Sequence, residues 1–383
     1  MSFLPGLELS RRFHHEVVAP VLTARFPGLR YAAARMDNGS ELFGYDTPRS
    51  QDHDWGPRVQ ILLAGANAGL VDEVLAAVGR ELPATFQGVP TRFAPDAERS
   101  LGVPACDGPR HGVTVLEVGD WCRQALGFDP LDGVGLLDWL AAPTQRLAEF
   151  TGGDVFHDGL PAGPACGGAG PDPVGGLGVR RARLAWYPPD VWRYVLAGGW
   201  SRVAGEEPFV GRCGEVDDDV GGRVIAARLV RDLMRLALLL DRRYPPYGKW
   251  LGTAFTGSSD DYGLATMLAG VLDAVDPRAR QRQLCRAYEL LAVRTNRLGL
   301  AGPVEPTVRP FHDRPFLVLD AGRFVRALRG SIEEPGLREL PLLGAVDQFV
   351  DHPALLTDAA WTRAVVSGAL GLRPTPPTKR TLS

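Results

Sequence analysis

The pattern of apolar residues changes at a dense cluster of glycine and proline between residues 159 and 178. Before it, short β-branched or apolar runs alternate with amphipathic stretches; after it, helical spacing dominates. The predicted strands are 31–36, 52–63 and 113–118, and the predicted helices of the first part are 6–26, 70–82 and 135–150. The predicted helices of the second part are 190–196, 223–243, 262–275 and 280–295, with an isolated strand at 315–319.

This change predicts an α+β chain with two domains. We expect a small mixed α/β domain over residues 1–150 and a Gly/Pro-rich loop or linker over residues 151–178. A mainly helical domain would follow over residues 179–373, and residues 374–383 would form a flexible tail.

Composition limits the classes of partner. Apolar residues make up 45% of the 383 residues, enough for a sizeable core, and the formal net charge is only −3. That charge argues against a broad electrostatic contact with nucleic acid or an anionic membrane. The five cysteines form no CxxC pair, so neither a zinc ribbon nor a redox pair is expected. The chain lacks a signal-peptide pattern and a membrane-length apolar run, so we expect a cytoplasmic protein; its oligomeric state stays open.

The residues that carry most chemical information lie in segment 39–55. Gly39 and Ser40 precede a predicted helix start, where backbone N–H groups and a hydroxyl can bind phosphate oxygens. Asp52 and Asp54 follow on a predicted strand, where alternate residues point to one face. Two adjacent carboxylates with phosphate oxygens suit Mg²⁺ or Mn²⁺. Together these elements are typical of metal-assisted phosphoryl transfer, whereas an isolated Asp-x-Asp is usually a solvated turn.

The phrases GSELFGYDTPRSQDHDWGPR and KWLGTAF resemble known families. The spacing of Gly-Ser and Asp-x-Asp is similar to that of the polymerase-beta-type nucleotidyltransferase superfamily. More narrowly, the phrases resemble bacterial nucleotidyltransferase-like proteins classed as a domain of unknown function, over most of the chain. The resemblance implies a polymerase-beta-type nucleotidyltransferase domain, followed here by the helical domain, and a metal site at Asp52 and Asp54. It does not imply an acceptor.

Members of the superfamily usually complete a two-metal site with a third carboxylate on a later strand. Glu117 is the candidate for this metal-binding and catalytic role, with Asp120 as runner-up; an exposed strand glutamate is the alternative. Ser50 is a further candidate for nucleotide binding. His53 lies where an apolar residue is commoner in the superfamily, and strand alternation would turn it away from the metal.

Candidates in the second half concern the nucleotide and the acceptor. Arg228, Arg231, Arg235 and Arg242 form one helical stripe, which either faces a triphosphate or forms salt bridges. Lys249 follows a Pro-Pro turn and either binds a phosphate or caps a helix. Other candidate contacts are aromatic residues that stack a base or form core, and glutamates that bind acceptor amines: Trp186, Tyr187, Trp192, Glu206 and Glu207.

We therefore expect an Mg²⁺-dependent nucleotidyltransferase. It would transfer NMP, by preference AMP, from an NTP to a hydroxyl of a small-molecule acceptor and release pyrophosphate. The alternatives are nucleotidylation of a protein or tRNA, a catalytically silent NTP-binding regulatory protein, and a ligase-like use of nucleotide activation. The near-neutral charge makes a nucleic-acid acceptor the less favoured one.

Overall fold

The computed structural model describes residues 3–52, 55–93, 110–162, 176–257 and 263–372. The described residues fall into two compact units, and each unit contains two separate segments of the chain. The first unit takes residues up to 134 and residues 149–185; the second takes residues 135–148 and the residues from 186 onward. The division therefore differs from the predicted bounds of 150 and 179, because residues 149–185 contribute a strand and a helix to the first unit.

The chain is predominantly helical. The helices are α1 Gly6–Phe13, α2 Ala19–Arg25, α3 Val71–Glu81, α4 Val118–Leu126, α5 Leu136–Ala141, α6 Thr144–Thr151, α7 Gly176–Arg183, α8 Pro189–Gly214, α9 Asp219–Leu240, α10 Gly248–Thr256, α11 Leu264–Asp273, α12 Pro277–Arg297, α13 Gly322–Gly330, α14 Pro335–Glu339, α15 Val346–Phe349, α16 Pro353–Leu356 and α17 Ala359–Leu370. Short 3₁₀ turns occupy Ser40–Phe43, Pro48–Asp52, Gly65–Leu70 and Pro130–Asp132. Within the described ranges, no helix is both long and apolar enough to cross a bilayer.

The strands are short. They are β1 Tyr31–Arg35, β2 Val59–Leu63, β3 Thr85–Phe86, β4 Val89–Pro90, β5 Arg92–Phe93, β6 Arg110–His111, β7 Val113–Glu117, β8 Asp154–Asp158, β9 Arg309–Pro310 and β10 Leu317–Val318. Four of them form the mixed sheet of the first unit in the order β7-β2-β1-β8. β1 runs antiparallel to β2 and β8, while β2 and β7 run parallel. The mixed α+β class is thereby confirmed.

The sheet of the first unit has a core on the face that α1, α2 and α3 cover. β1 and β2 are buried along their whole length, as expected for central strands without a solvated face. The strand residues of this core alternate along the chain: Tyr31, Ala33, Val59, Ile61, Leu63, Val113 and Val115. That period of two is what the β-branched and apolar runs of the sequence predict.

The predicted helix over residues 6–26 forms, and Pro20 does not end it. A π-helical turn at His14–Val18 joins α1 to α2, and in this turn the N–H of Ala19 donates to the carbonyl of His14. Because proline has no N–H, the carbonyl four residues earlier loses its helical partner, and the wider turn absorbs this defect.

The second unit is built around α8, which packs against α9 and α13. Trp200 is fully buried in the middle of α8 and stacks on Phe324 at 4.9 Å between ring centroids. Glu207 of the same helix is buried, and its carboxylate accepts the N–H groups of Leu319 at 2.7 Å and Ala321 at 2.8 Å. These bonds fasten the start of α13 to α8, and the burial raises the pKa of Glu207 to about 7.

We expect this buried carboxyl to make the stability of the protein depend on pH. Its pKa is raised from 4.5 in the reference state to about 7 in the native state, so the native state binds the proton more tightly. The resulting stability is fully present below pH 4.5 and is lost as the pH rises through 7, on the order of 3 kcal/mol in total. In Glu207→Gln, the free energy of unfolding should fall less over this interval.

Urea denaturation followed by tryptophan fluorescence, at several pH values between 4 and 8, measures the difference. Glu333→Gln, at an exposed position, is the matched control and should keep the wild-type pH dependence. If the free energy of unfolding of Glu207→Gln changed with pH as much as that of the wild type, another group would be responsible for the pH dependence.

Candidate functional site

Segment 39–55 connects β1 to β2 at one edge of the sheet. The antiparallel pairing of Ala34 with Gln60 brings the end of β1 beside the start of β2. Asp46 closes the connection, since its Oδ2 accepts the N–H of Gly6 at 2.7 Å and the indole N–H of Trp55 at 3.3 Å. Asp46 and Trp55, which flank residues 47–54, are therefore fixed beside the first residue of α1.

A buried ion pair directs the chain from β1 into this segment. Arg35 donates from Nε and Nη2 to Oε1 of Glu41, at 3.0 and 2.7 Å, and both side chains are at most 5% exposed. The remaining guanidinium donors bind the carbonyls of Met36 and Asn38. Nothing in the sequence pattern predicted this pair, because Arg35 stands in an otherwise apolar strand and Glu41 in an apparent surface turn.

Gly39 occupies a conformation that other residues rarely adopt, with φ 137° and ψ 146°. A Cβ at this position would lie 2.4 Å from Oε2 of Glu41, so the buried carboxylate leaves no room for a side chain. Ser40 opens the 3₁₀ turn and is half-buried; its hydroxyl has no hydrogen-bond partner among the described residues. The backbone of Gly39 and the Ser40 hydroxyl are thus both placed at the sheet edge, as the predicted phosphate contact requires.

The predicted strand over residues 52–63 is wrong in its first half. Asp52 ends the 3₁₀ turn Pro48–Asp52, and β2 begins only at Val59. Gly56 with φ 153° and Pro57, which has no N–H, prevent an earlier start of the ladder. Strand alternation therefore does not determine the direction of the Asp52 side chain. The side chain of Asp52 and the whole of His53 and Asp54 lie outside the described residues.

Ser50 has a local structural role. Its hydroxyl accepts the N–H of Thr47 at 3.0 Å, and its own N–H donates to the carbonyl of Thr47 at 2.9 Å. These bonds tighten the turn that leads to Asp52. Its predicted contact with the nucleotide stays a prediction.

Glu117 lies at the opposite end of the sheet. The parallel register pairs Val113 with Val59 and Glu117 with Leu63, so one strand length of about 13 Å separates Glu117 from the end where segment 39–55 joins β2. Its Oε2 accepts the N–H of Asp120 at 2.6 Å and so caps α4. The runner-up Asp120 is exposed and pairs with Arg123 at 2.7 Å. The structure therefore does not bring either residue to the loop that carries Asp52 and Asp54.

Asp154 is a carboxylate at the sheet edge of segment 39–55 that the sequence pattern did not indicate. It is the first residue of β8 and pairs with Arg35 of β1 across the ladder, and its carboxylate binds Arg11. The strand was missed because only two apolar residues stand between its polar ends, within a stretch that its glycines and prolines assigned to a linker. Among the described residues, no group of three His, Cys, Asp or Glu side chains is arranged to hold a metal ion.

The arginine stripe of α9 consists of paired side chains within the second unit. Arg228 binds Glu206 at 2.5 Å, and Arg231 forms two hydrogen bonds with Asp351, at 2.8 and 3.1 Å. Arg235 is buried against Asp347. Arg242 lies beyond the end of α9 at Leu240 and faces the ring of Trp192, so the predicted stripe does not extend to it. The three members of the stripe within α9 are therefore salt-bridged.

The remaining candidates of the second unit also have structural surroundings. Lys249 is exposed in the first turn of α10, with Nζ 4.9 Å from the ring centroid of Trp250. The predicted stacking residues form one aromatic cluster instead of a free platform: Trp186, Tyr187 and Trp192 with Trp139 and Tyr244. Glu207 is engaged by the backbone of Leu319 and Ala321, and Oε1 of Glu206 binds Arg228, while Oε2 of Glu206 is buried without a hydrogen-bond partner among the described residues.

Comparison with known proteins adds one match. The sequence profile of a family described as Domain of unknown function (DUF4037) matches residues 167–251. This range covers less than a quarter of the chain; it includes Lys249 but not segment 39–55. No curated protein and no solved structure matches the chain. The nucleotidyltransferase resemblance of segment 39–55 therefore stays a prediction.

We predict that Gly39→Ala destabilises the first unit by more than a backbone effect alone. An alanine here must adopt a conformation that costs about 1–3 kcal/mol, and its Cβ would displace the Glu41 carboxylate from Arg35. Gly28→Ala is the matched control, since Gly28 has φ 82° with nothing within 4 Å of an added Cβ. Urea denaturation should show a larger loss for Gly39→Ala; equal losses would contradict the coupling to Glu41.

Proposed function

We propose that the first unit binds a nucleoside triphosphate at segment 39–55 and transfers its nucleotidyl group, by preference AMP, to a hydroxyl of a small-molecule acceptor. One observation carries the proposal. The Arg35–Glu41 pair and the bonds of Asp46 hold Gly39, Ser40 and the loop of Asp52 at a single sheet edge. This anchoring supports the proposal that Gly39 and Ser40 bind phosphate beside the carboxylates of Asp52 and Asp54, which belong to the same short segment.

The metal would be held by Asp52 and Asp54. The described carboxylates of this edge already have protein partners: Glu41 binds Arg35, Asp46 binds Gly6 and Trp55, and Asp154 binds Arg11. The Asp-x-Asp pair supplies the oxygen ligands that Mg²⁺ prefers, so the donor chemistry fits. When bound, Mg²⁺ neutralises charge on the phosphate oxygens.

Residues of segment 39–55 would bind the phosphates and assist the transfer. The N–H groups at Gly39 and Ser40 and the Ser40 hydroxyl would donate hydrogen bonds to the β- and γ-phosphates. The acceptor oxygen forms a bond to the α-phosphorus, the bond to the β-phosphate oxygen breaks, and pyrophosphate leaves. The hydroxyl proton must pass to a base other than Glu117, which lies at the far end of β7; the loop carboxylates are the nearest candidates in the sequence.

The same position of Glu117 favours one alternative, a protein that binds NTP and regulates a partner without turnover. A site that lacks its third carboxylate can keep affinity for the nucleotide and lose the chemical step. Nucleotidylation of a protein or tRNA has no such specific support here, and the net charge of −3 disfavours the tRNA.

We expect Asp52→Asn combined with Asp54→Asn to abolish turnover while the urea unfolding midpoint is unchanged. Pyrophosphate release from ATP with Mg²⁺, in the presence of a panel of hydroxyl-bearing compounds, measures turnover, and mass shifts identify the acceptor. Loss of both carboxylates should lower the rate at least 100-fold. Glu117→Gln is the matched control and should retain activity, because Glu117 lies away from the segment.

Three results would decide against this assignment. Full turnover in the Asp52/Asp54 variant would show that the site lies elsewhere. Loss of turnover in a well-folded Glu117→Gln protein would return Glu117 to the catalytic site. Tight binding of Mg·ATP by the wild type without pyrophosphate release, measured by calorimetry, would favour the regulatory alternative.

A further inference from the structure

A groove of about 520 Å³ runs along α3 in the first unit, between this helix and the strands β5 and β6. Its volume lies within the usual range for small-molecule sites. Its helical wall includes two small residues, Ala76 and Gly79, beside Leu75. A Cβ at Gly79 would lie 2.7 Å from Nε2 of His111, so only glycine lets this imidazole lie against the helix.

Cationic and donor groups line this groove around Gly79. Arg80 and Arg92 are exposed there, and neither has a carboxylate partner among the described residues. Nη2 of Arg92 donates to the carbonyl of Gly79 at 3.0 Å, which fixes the guanidinium at the rim. This contrasts with Arg228, Arg231 and Arg235 of α9, which are engaged by carboxylates.

His111 adds a neutral donor. Its Nδ1 accepts the N–H of Val113 at 3.3 Å, so in the neutral imidazole the proton lies on Nε2, the atom that faces α3. Burial lowers the pKa of His111, with a smaller contribution from Arg92. The one carboxylate of the lining, Asp72, lies two helical turns or about 12 Å before Arg80 along α3. The arginine end of the groove is thus suited to an anion.

His111 lies at the sheet edge that carries segment 39–55, since Val113 pairs with Val59 at the start of β2. Gly112, next to His111, accepts the N–H of Val59 at 2.8 Å. A Cβ on Gly112 would lie 2.1 Å from the carbonyl oxygen of Pro57. The strand that brings His111 to the groove therefore lies beside the residues that lead from Asp54 into β2.

We propose that Arg80, Arg92 and His111 form a binding site for a phosphate-bearing small molecule, distinct from the phosphates of the NTP. Two guanidiniums and an imidazole N–H match the oxygens of a phosphate group. The role of this molecule as nucleotidyl acceptor rests on the proposed function; the binding of the anion does not. The acceptor would be a phosphorylated hydroxyl compound, held by its phosphate with a hydroxyl directed along the edge.

The test uses the full chain with inorganic phosphate as the probe, in EDTA, so that no divalent metal contributes. A ³¹P NMR titration gives the dissociation constant. We expect Arg80→Ala combined with Arg92→Ala to weaken phosphate binding at least tenfold, and His111→Ala to weaken it less. Arg12→Ala combined with Arg30→Ala removes the same charge from exposed positions of the same unit and should leave the affinity unchanged.

Two further measurements distinguish a phosphate bound in the groove from the phosphates of the NTP. Phosphate affinity should be unchanged in the Asp52→Asn/Asp54→Asn protein, so this result stands even if the proposed function fails. A non-hydrolysable ATP analogue with Mg²⁺ should not displace the phosphate. Displacement would assign the groove to the NTP, and equal affinity of the Arg80/Arg92 variant and the wild type would overturn the site.

Discussion

The buried ion pair of Arg35 and Glu41 is the interaction on which the candidate site depends. Removing two charges from water costs several kcal/mol for each ion, and a close pair with further hydrogen bonds can offset this. Here the guanidinium also binds the carbonyls of Met36 and Asn38, so its donors follow the turn into Gly39. Loss of one partner would leave an unpaired buried charge, at about 3–5 kcal/mol. The path of segment 39–55 is therefore determined by electrostatics inside the sheet edge.

Strand direction decides which polar residues can meet at that edge. Antiparallel pairing places the end of β1 beside the starts of β2 and β8, so Arg35, Asp154 and segment 39–55 lie together. Parallel pairing of β2 with β7 sends Glu117 to the other end and brings His111 to this one. We therefore expect functional partners of Asp52 and Asp54 near Asp154 and the α3 groove. Glu117, the residue that the superfamily resemblance indicated, lies at the other end.

Apolar periodicity sufficed to predict β1, β7, the second half of the β2 range and the helices α1, α2, α3, α9, α11 and α12, because these elements bury one or both faces. It missed α4, α7, α10 and the helices from α13 onward, and it predicted only the first part of α8. It could not predict β8, where Val155 and Phe156 are the only apolar residues between polar ends. Nor could it place the start of β2, which depends on the backbone of Gly56 and Pro57. The spacing of the sequence was enough to find the Gly-Ser and Asp-x-Asp elements. It did not predict the ion pair of Arg35 and Glu41 that directs this segment, because the two residues become partners only through a turn that the sequence pattern does not reveal.

The arginines of this chain differ in whether a carboxylate binds them. With 42 basic residues and 45 acidic ones, carboxylates are available to many guanidiniums, and such a pair at the surface is worth little and signals no ligand. Arg228 and Arg231 are of this kind, although their helical stripe suggested a triphosphate contact. Arg80 and Arg92 are different, because they converge on a groove without such a partner among the described residues. In an arginine-rich protein the informative cation is the one that lines a groove without a carboxylate partner, since an anionic ligand can bind it without displacing such a partner.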